Sequence, residues 1–169
     1  ANELGNLASR TLSMLHRYFG GVKPSEWNPD ALQDAEARAS LEGLIADAQL
    51  AHVEVPKGYE GLDTQQALNA AWVPVVRANE FIERVKPWVV AKDESRRAEL
   101  ATALSALLET LRLAAIWAWP AIPAKSEALW AQLTLPGKPG DQRGPDAAPA
   151  FGAAPRGEPA VGAVEILFP

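Results

Sequence analysis

The sequence predicts an all-α fold, a bundle of about five helices followed by an irregular C-terminal extension, on three observations. Apolar residues recur at spacings of three and four through most of residues 2–135, the signature of helices that bury one face. Strand-like alternation never extends beyond a few residues before Val161. The composition then changes, since residues 136–169 hold 7 of the 14 prolines and 6 of the 12 glycines, with alanine filling most of the rest. Two segments follow from this: residues 1–135 form the helical unit, and residues 136–169 form a Pro/Gly/Ala-rich extension ending in an apolar docking tail.

The first helix spans residues 2–19, where Leu4, Leu7, Ala8, Thr11, Leu12, Leu15, Tyr18 and Phe19 form one stripe. Gly20 and Gly21 end it. A second helix is expected to open after Asn28 with Pro29 at its first position, and to run until Pro56. The third, from about Leu62 to Arg84, carries Leu68, Ala71, Trp72, Val75, Asn79 and Ile82 on one face, and Pro74 is expected to kink it. After the connector Lys86, Pro87 and Trp88, a fourth helix runs from about Glu94 to Trp119 with Leu100, Leu104, Leu107, Leu108, Leu111 and Ala115 in register. Pro120 and Pro123 stop it, and a short fifth helix holds Leu129, Trp130 and Leu133. The extension has too little apolar surface to offset its ordering entropy, so an irregular or mobile path is expected until Ile166, Leu167, Phe168 and Pro169 dock.

Composition removes whole classes of function. The absence of cysteine excludes disulfides, thiolate nucleophiles and cysteine-ligated zinc, and it fits a cytoplasmic setting. His16 and His52 lie far apart without a metal-ligand spacing, so no metal and no cofactor are expected in this chain. The apolar run at residues 113–124 falls short of the roughly 20 residues of a membrane span, so no membrane partner is expected. The polar start at Ala1 resembles neither a signal peptide nor a native beginning, which suggests a cut from a longer chain. Neither a nucleophile elbow nor a phosphate-binding glycine loop is present, so catalysis by this chain alone is not expected.

Net charge is −5, which disfavours strong non-specific nucleic-acid binding, yet charge is segregated. Residues 25–66 carry nine acids against Arg38 and Lys57, whereas residues 77–97 carry six bases against four acids. An anionic partner is therefore expected at the first helix and the connector around Trp88. On that helix Asn6 and Arg10 stand four residues apart, with Ser13 and Arg17 continuing the line away from the apolar stripe. An amide and a guanidinium suit base edges, although an ordinary solvated face has the same spacing. Trp88, outside both flanking registers, fits either a stacking platform for an unstacked base or a cap on the bundle core. Arg17, Lys92, Arg96 and Arg97 are candidates for phosphate contact.

Three stretches carry a resemblance. The opening ANELGNLASRTLSMLHRYFGG, the middle ANEFIERVKPWVVAKDE at residues 78–94, and ALLETLRLAAIWAWPAIPAKSEALWAQL at residues 106–133 resemble the C-terminal anticodon-binding domain of methionyl-tRNA synthetases, class I aminoacyl-tRNA synthetases. The closing Leu167, Phe168 and Pro169 is similar to the segment that finishes the family's core. The resemblance implies that Asn6 and Arg10 read the CAU anticodon of methionine tRNA and that Trp88, preceded by Pro87, stacks on an anticodon base. It also implies a catalytic domain N-terminal to Ala1 as partner, because HIGH-type and KMSKS-type sequences are absent from this chain. ATP binding, ligase chemistry and a role in protein biosynthesis then belong to the full-length enzyme. The alternative reading is a helical protein–protein interaction module whose exposed tryptophan and tail bind a partner.

Overall fold

In a computed structural model of the chain, residues 2–153 and 156–168 are described. Five long helices and one single-turn helix carry the fold: α1 (Asn2–Phe19), α2 (Ala35–Glu60), α3 (Thr64–Val85), α4 (Pro87–Val90), α5 (Arg97–Ala118) and α6 (Pro123–Gln132). Among the described residues the only β pairing is an isolated antiparallel bridge between Lys23 and Gly157.

The first apolar stripe forms α1 as expected, with Leu4, Leu7, Ala8, Leu12 and Leu15 buried. The second helix starts later than the sequence suggests. Asn28 and Pro29 open only a short 3-10 turn, Pro29–Ala31, after which Leu32 is extended and fully buried. Asp34 then caps α2, its carboxylate accepting the Glu36 N–H at 2.8 Å. The helix also passes Pro56 and ends at Glu60. Pro56 is exposed, so the carbonyl it leaves without a donor can turn to water. Helix α3 likewise continues through Pro74, here on the buried side, from its Asp63 cap to Val85.

Helices α2 and α3 form an antiparallel hairpin through small residues, Ala48 and Ala51 facing the side of Ala67 and Ala71. Gly58 marks the closest approach, since a Cβ there would lie 2.6 Å from the Ala67 nitrogen. Helix α5 is the hub, buried on nearly every side between α1, α3 and α6. The segment Glu94–Ala118 is long and apolar enough to cross a membrane by composition, but 89% of its most apolar window is buried inside the protein. Its all-round apolarity is that of a core helix.

The extension follows an irregular path, but polar groups tie it down where apolar area is scarce. Glu109 and Arg112, both buried on α5, pair at 2.7 Å. The Arg112 guanidinium donates to the carbonyls of Asp146 and Ala148, and Glu109 accepts the Ala150 N–H, each at 2.7 Å. Farther on, Lys23, a residue 3% exposed, donates from its ammonium to Thr134 Oγ1 and the Pro159 carbonyl. Burial lowers its pKa from the usual 10.5, with Glu158 opposing. These ties are invisible in composition: buried charges with unfilled hydrogen-bonding capacity recruit backbone groups of the extension. At the tail Leu167 is buried and Phe168 lies beside Gly5 of α1, whereas Ile166 is 81% exposed instead of joining them. The expectation for Pro169 lies outside the described residues.

Candidate nucleic-acid interface

The candidate site is built on the exposed face of α1 where α3 and α4 meet it. Burial of Leu7 and Leu12 fixes the rotation of α1, so Asn6 and Arg10 face outward one turn apart. Two polar links set α1 against α3. Asn79 donates its amide to the Glu3 backbone carbonyl and carboxylate, each at 3.1 Å, and to the Val75 carbonyl in its own helix. One turn on, Glu83 accepts from Arg10 Nη2 at 2.7 Å. Asn79 thus works as a strut instead of an apolar-face residue.

The approach of Trp88 follows from local backbone chemistry. Lys86 ends α3 in the left-handed region at φ 51°, its N–H still bonded to the Ile82 carbonyl. The chain reverses there, and Pro87 opens α4 at the helix position that needs no N–H. Pro87 and Val90 anchor that single turn in the core, which leaves Trp88 outward and 38% exposed. Its ring centroid lies 5.8 Å from Arg10 Cζ. The Arg10 guanidinium is therefore held between a carboxylate and an indole, in reach of cation–π attraction.

The structure brings Arg10 and Trp88 together and puts Asn6 on the same helix face, with no side-chain hydrogen bond among the described residues. A free amide, an oriented guanidinium fork and an exposed indole can bind a splayed base by edge contacts and stacking. The candidate phosphate contacts separate. Arg17 and Arg97 are exposed at the last turn of α1, near Tyr18 and Phe19 respectively. Lys92 is exposed just past α4. Arg96 is committed to Glu99, which it meets through Nε and Nη2 at 2.8 and 2.9 Å. Two of the bases counted near Trp88 are likewise engaged elsewhere, Arg77 by Asp47 and Arg84 by Glu36 of the acidic hairpin. Sequence reasoning missed Glu83, although it stands four residues after Asn79 and five before Trp88. Among the described residues no group of three potential metal ligands is present.

The family model for the anticodon binding domain of methionyl tRNA ligase matches residues 31–168. The chain belongs to that family. It is 39% identical over 135 residues to the methionine–tRNA ligase of Streptococcus pyogenes serotype M1, covering 80% of this chain and 19% of that protein. The methionine–tRNA ligase of Caldanaerobacter subterraneus subsp. tengcongensis is also 39% identical over 135 residues, with 80% and 20% covered. The chain thus spans about a fifth of the length of these curated relatives. Among solved structures, Mycobacterium tuberculosis methionyl-tRNA synthetase bound by methionyl-adenylate superposes with a TM-score of 0.75 at 26% identity, covering all of this chain and 31% of that one. The matched residues of the family model include Pro87 and Trp88, while Asn6 and Arg10 precede them.

Proposed function

We propose that this anticodon-binding domain captures the CAU anticodon loop of methionine tRNA for a methionyl-tRNA ligase acting in the cytoplasm. The observation that carries the reading is the Arg10 guanidinium poised between Glu83 and the exposed Trp88 ring, one helical turn from Asn6. Trp88 offers a flat apolar surface on which an unstacked base replaces water. Arg10 presents further in-plane N–H donors to base acceptors, and the Asn6 amide supplies one acceptor and two donors.

The Arg10–Glu83 pair orients the fork before RNA arrives. Both side chains are well exposed, at 36% and 62%, so exchanging this contact for a base or phosphate forfeits at most about 1 kcal/mol. Selectivity comes from rejection. A base with the wrong edge leaves the Asn6 amide or the Arg10 fork unpaired beneath a stacked ring, at a cost of about 1 to 3 kcal/mol per group. Methionine activation and ATP binding fall to a catalytic domain outside the chain, with which the methionine tRNA is shared.

Titration of the full-length protein with RNA hairpins tests this. A hairpin with CAU in its loop is expected to bind at least tenfold more tightly than hairpins with one changed anticodon base. Equal affinity for all loops would overturn the reading.

A further inference from the structure

We propose that Ser13 and Arg17 form a phosphate subsite for the RNA strand on the outer face of α1, beyond the residues that meet the anticodon bases. The inference rests on the reading that the anticodon loop lies at Asn6, Arg10 and Trp88, and it assigns what holds the backbone of that strand.

At 3.6 residues per turn, Asn6, Arg10, Ser13 and Arg17 fall within about 60° of one another around the α1 axis. Neighbours fix the two edges of this strip. Along one edge Glu83 and Trp88 approach Arg10, and along the other the Gly162 carbonyl of the extension accepts a hydrogen bond from His16 Nε2 at 2.8 Å. Between these edges Asn2, Asn6, Ser9, Ser13 and Arg17 are exposed. Glu3, the only acid of α1, accepts from Asn79 of α3 at the start of the helix. A chain with 21 acids and a net charge of −5 thus presents on this strip amides, hydroxyls and guanidinium groups alone. Those are the donors that position a sugar–phosphate backbone.

Ser13 and Arg17 stand one turn apart, with Cβ atoms about 6 Å from each other, so a hydroxyl and a guanidinium reach the same phosphate. Arg17 meets no carboxylate within ion-pair distance among the described residues, whereas Arg77, Arg84 and Arg96 are engaged by Asp47, Glu36 and Glu99. Its charge is therefore open to a ligand. The subsite lies seven residues beyond Arg10, about 10 Å along the same face, so a strand whose bases meet Arg10 and Trp88 reaches it without crossing the apolar side of α1. The carbonyls that end a helix repel an anion. Here the Gly21 and Val22 N–H groups fill those of Leu15 and Phe19, each at 3.0 Å, and the Arg17 cation opposes the rest.

The test is the salt dependence of hairpin binding by the full-length protein, with CAU and non-CAU loops on the same stem. Arg17→Gln is expected to reduce the slope of log affinity against log salt by about 1 and to weaken both loops by the same factor. Arg17→Lys, which keeps the charge, is expected to retain the wild-type slope. Ser13→Ala is expected to weaken both loops about three- to tenfold at any fixed salt with the slope unchanged, since a neutral donor is lost. Lys57→Gln, which removes an exposed cation from α2, is expected to behave as wild type. An unchanged slope in Arg17→Gln, with its melting temperature intact, would overturn the subsite. So would an equal slope change in Lys57→Gln, which marks a general field effect, or a loss confined to CAU loops, which makes Arg17 a base reader. Wild-type affinity in Ser13→Ala would remove the hydroxyl from it. If wild-type protein shows no CAU preference but the slope still follows Arg17, the subsite stands and the anticodon reading fails.

Discussion

Two arginine–glutamate pairs in this molecule have the same 2.7 Å contact and opposite surroundings. Arg10 and Glu83 join α1 to α3 with side chains 36% and 62% exposed, whereas Arg112 and Glu109 lie on α5 at 8% and 0%. In water an ion pair is a weak, exchangeable contact that orients a side chain. Inside the core the same chemistry has no solvent to fall back on, and every unfilled donor or acceptor must find protein. Arg112 and Glu109 find it in the backbone of residues 146–150. Distance alone therefore says nothing about role; solvent access leaves one pair exchangeable and makes the other a clasp.

The largest expected effect comes from breaking the buried clasp. Arg112→Met leaves the Glu109 carboxylate without its cation, and urea unfolding is expected to show a loss of about 3 to 5 kcal/mol. Hydrogen exchange is expected to rise at Ala150, whose N–H bonds to Glu109. The double variant Glu109→Leu, Arg112→Met is expected to regain part of the loss, because no charge is then stranded. A single-variant loss below about 1 kcal/mol would show that Glu109 is reached by solvent in the folded protein.

Trp88→Ala comes next. It is expected to weaken binding of the CAU hairpin by about 1 to 3 kcal/mol, the worth of one base on one aromatic platform, with little change in unfolding free energy. A loss of several kcal/mol in stability would instead mark the indole as a core cap. Smaller still is Glu83→Gln, expected to change stability by less than about 1 kcal/mol and to raise affinity slightly for every hairpin, since the fork loses its competing carboxylate.

A third buried charge adds a pH arm to the contrast. Because burial depresses the Lys23 pKa, the unfolded chain binds more protons than the folded one between the depressed value and 10.5. Stability from this group thus rises with pH through that window and is flat well below it. In Lys23→Met, chemical unfolding over the same alkaline range is expected to lack that rise; an identical profile would detach it from Lys23.

The helices were legible because their apolar stripes follow the helical period, as in α1 and α5. Boundaries were less so. A proline such as Pro56 reads as a stop in sequence, yet on an exposed helix face it costs little enough for packing around it to carry α2 on to Glu60. Asn6, Arg10 and Trp88 stood out through chemistry outside the apolar registers and through family resemblance. Glu83 did not, since an acid four residues from another polar side chain looks like solvated surface until α1 is packed beside it. The ties on the extension were hidden for a related reason. Glu109 and Arg112 stand three residues apart, a spacing that solvated helical ion pairs share, and only the packing around α5 shows that both side chains are buried.

The central claim is that the exposed Arg10 fork reads an anticodon base, and a double-mutant cycle tests it most directly. Hairpin affinities are measured for wild-type and Arg10→Ala protein, each against the CAU loop and loops with one changed base. The account predicts a coupling of about 1 to 3 kcal/mol between Arg10 and at least one anticodon position, with the variant losing most of its discrimination there. A loss of affinity identical for every loop, hence zero coupling at all three positions, would make Arg10 a phosphate contact and contradict the account.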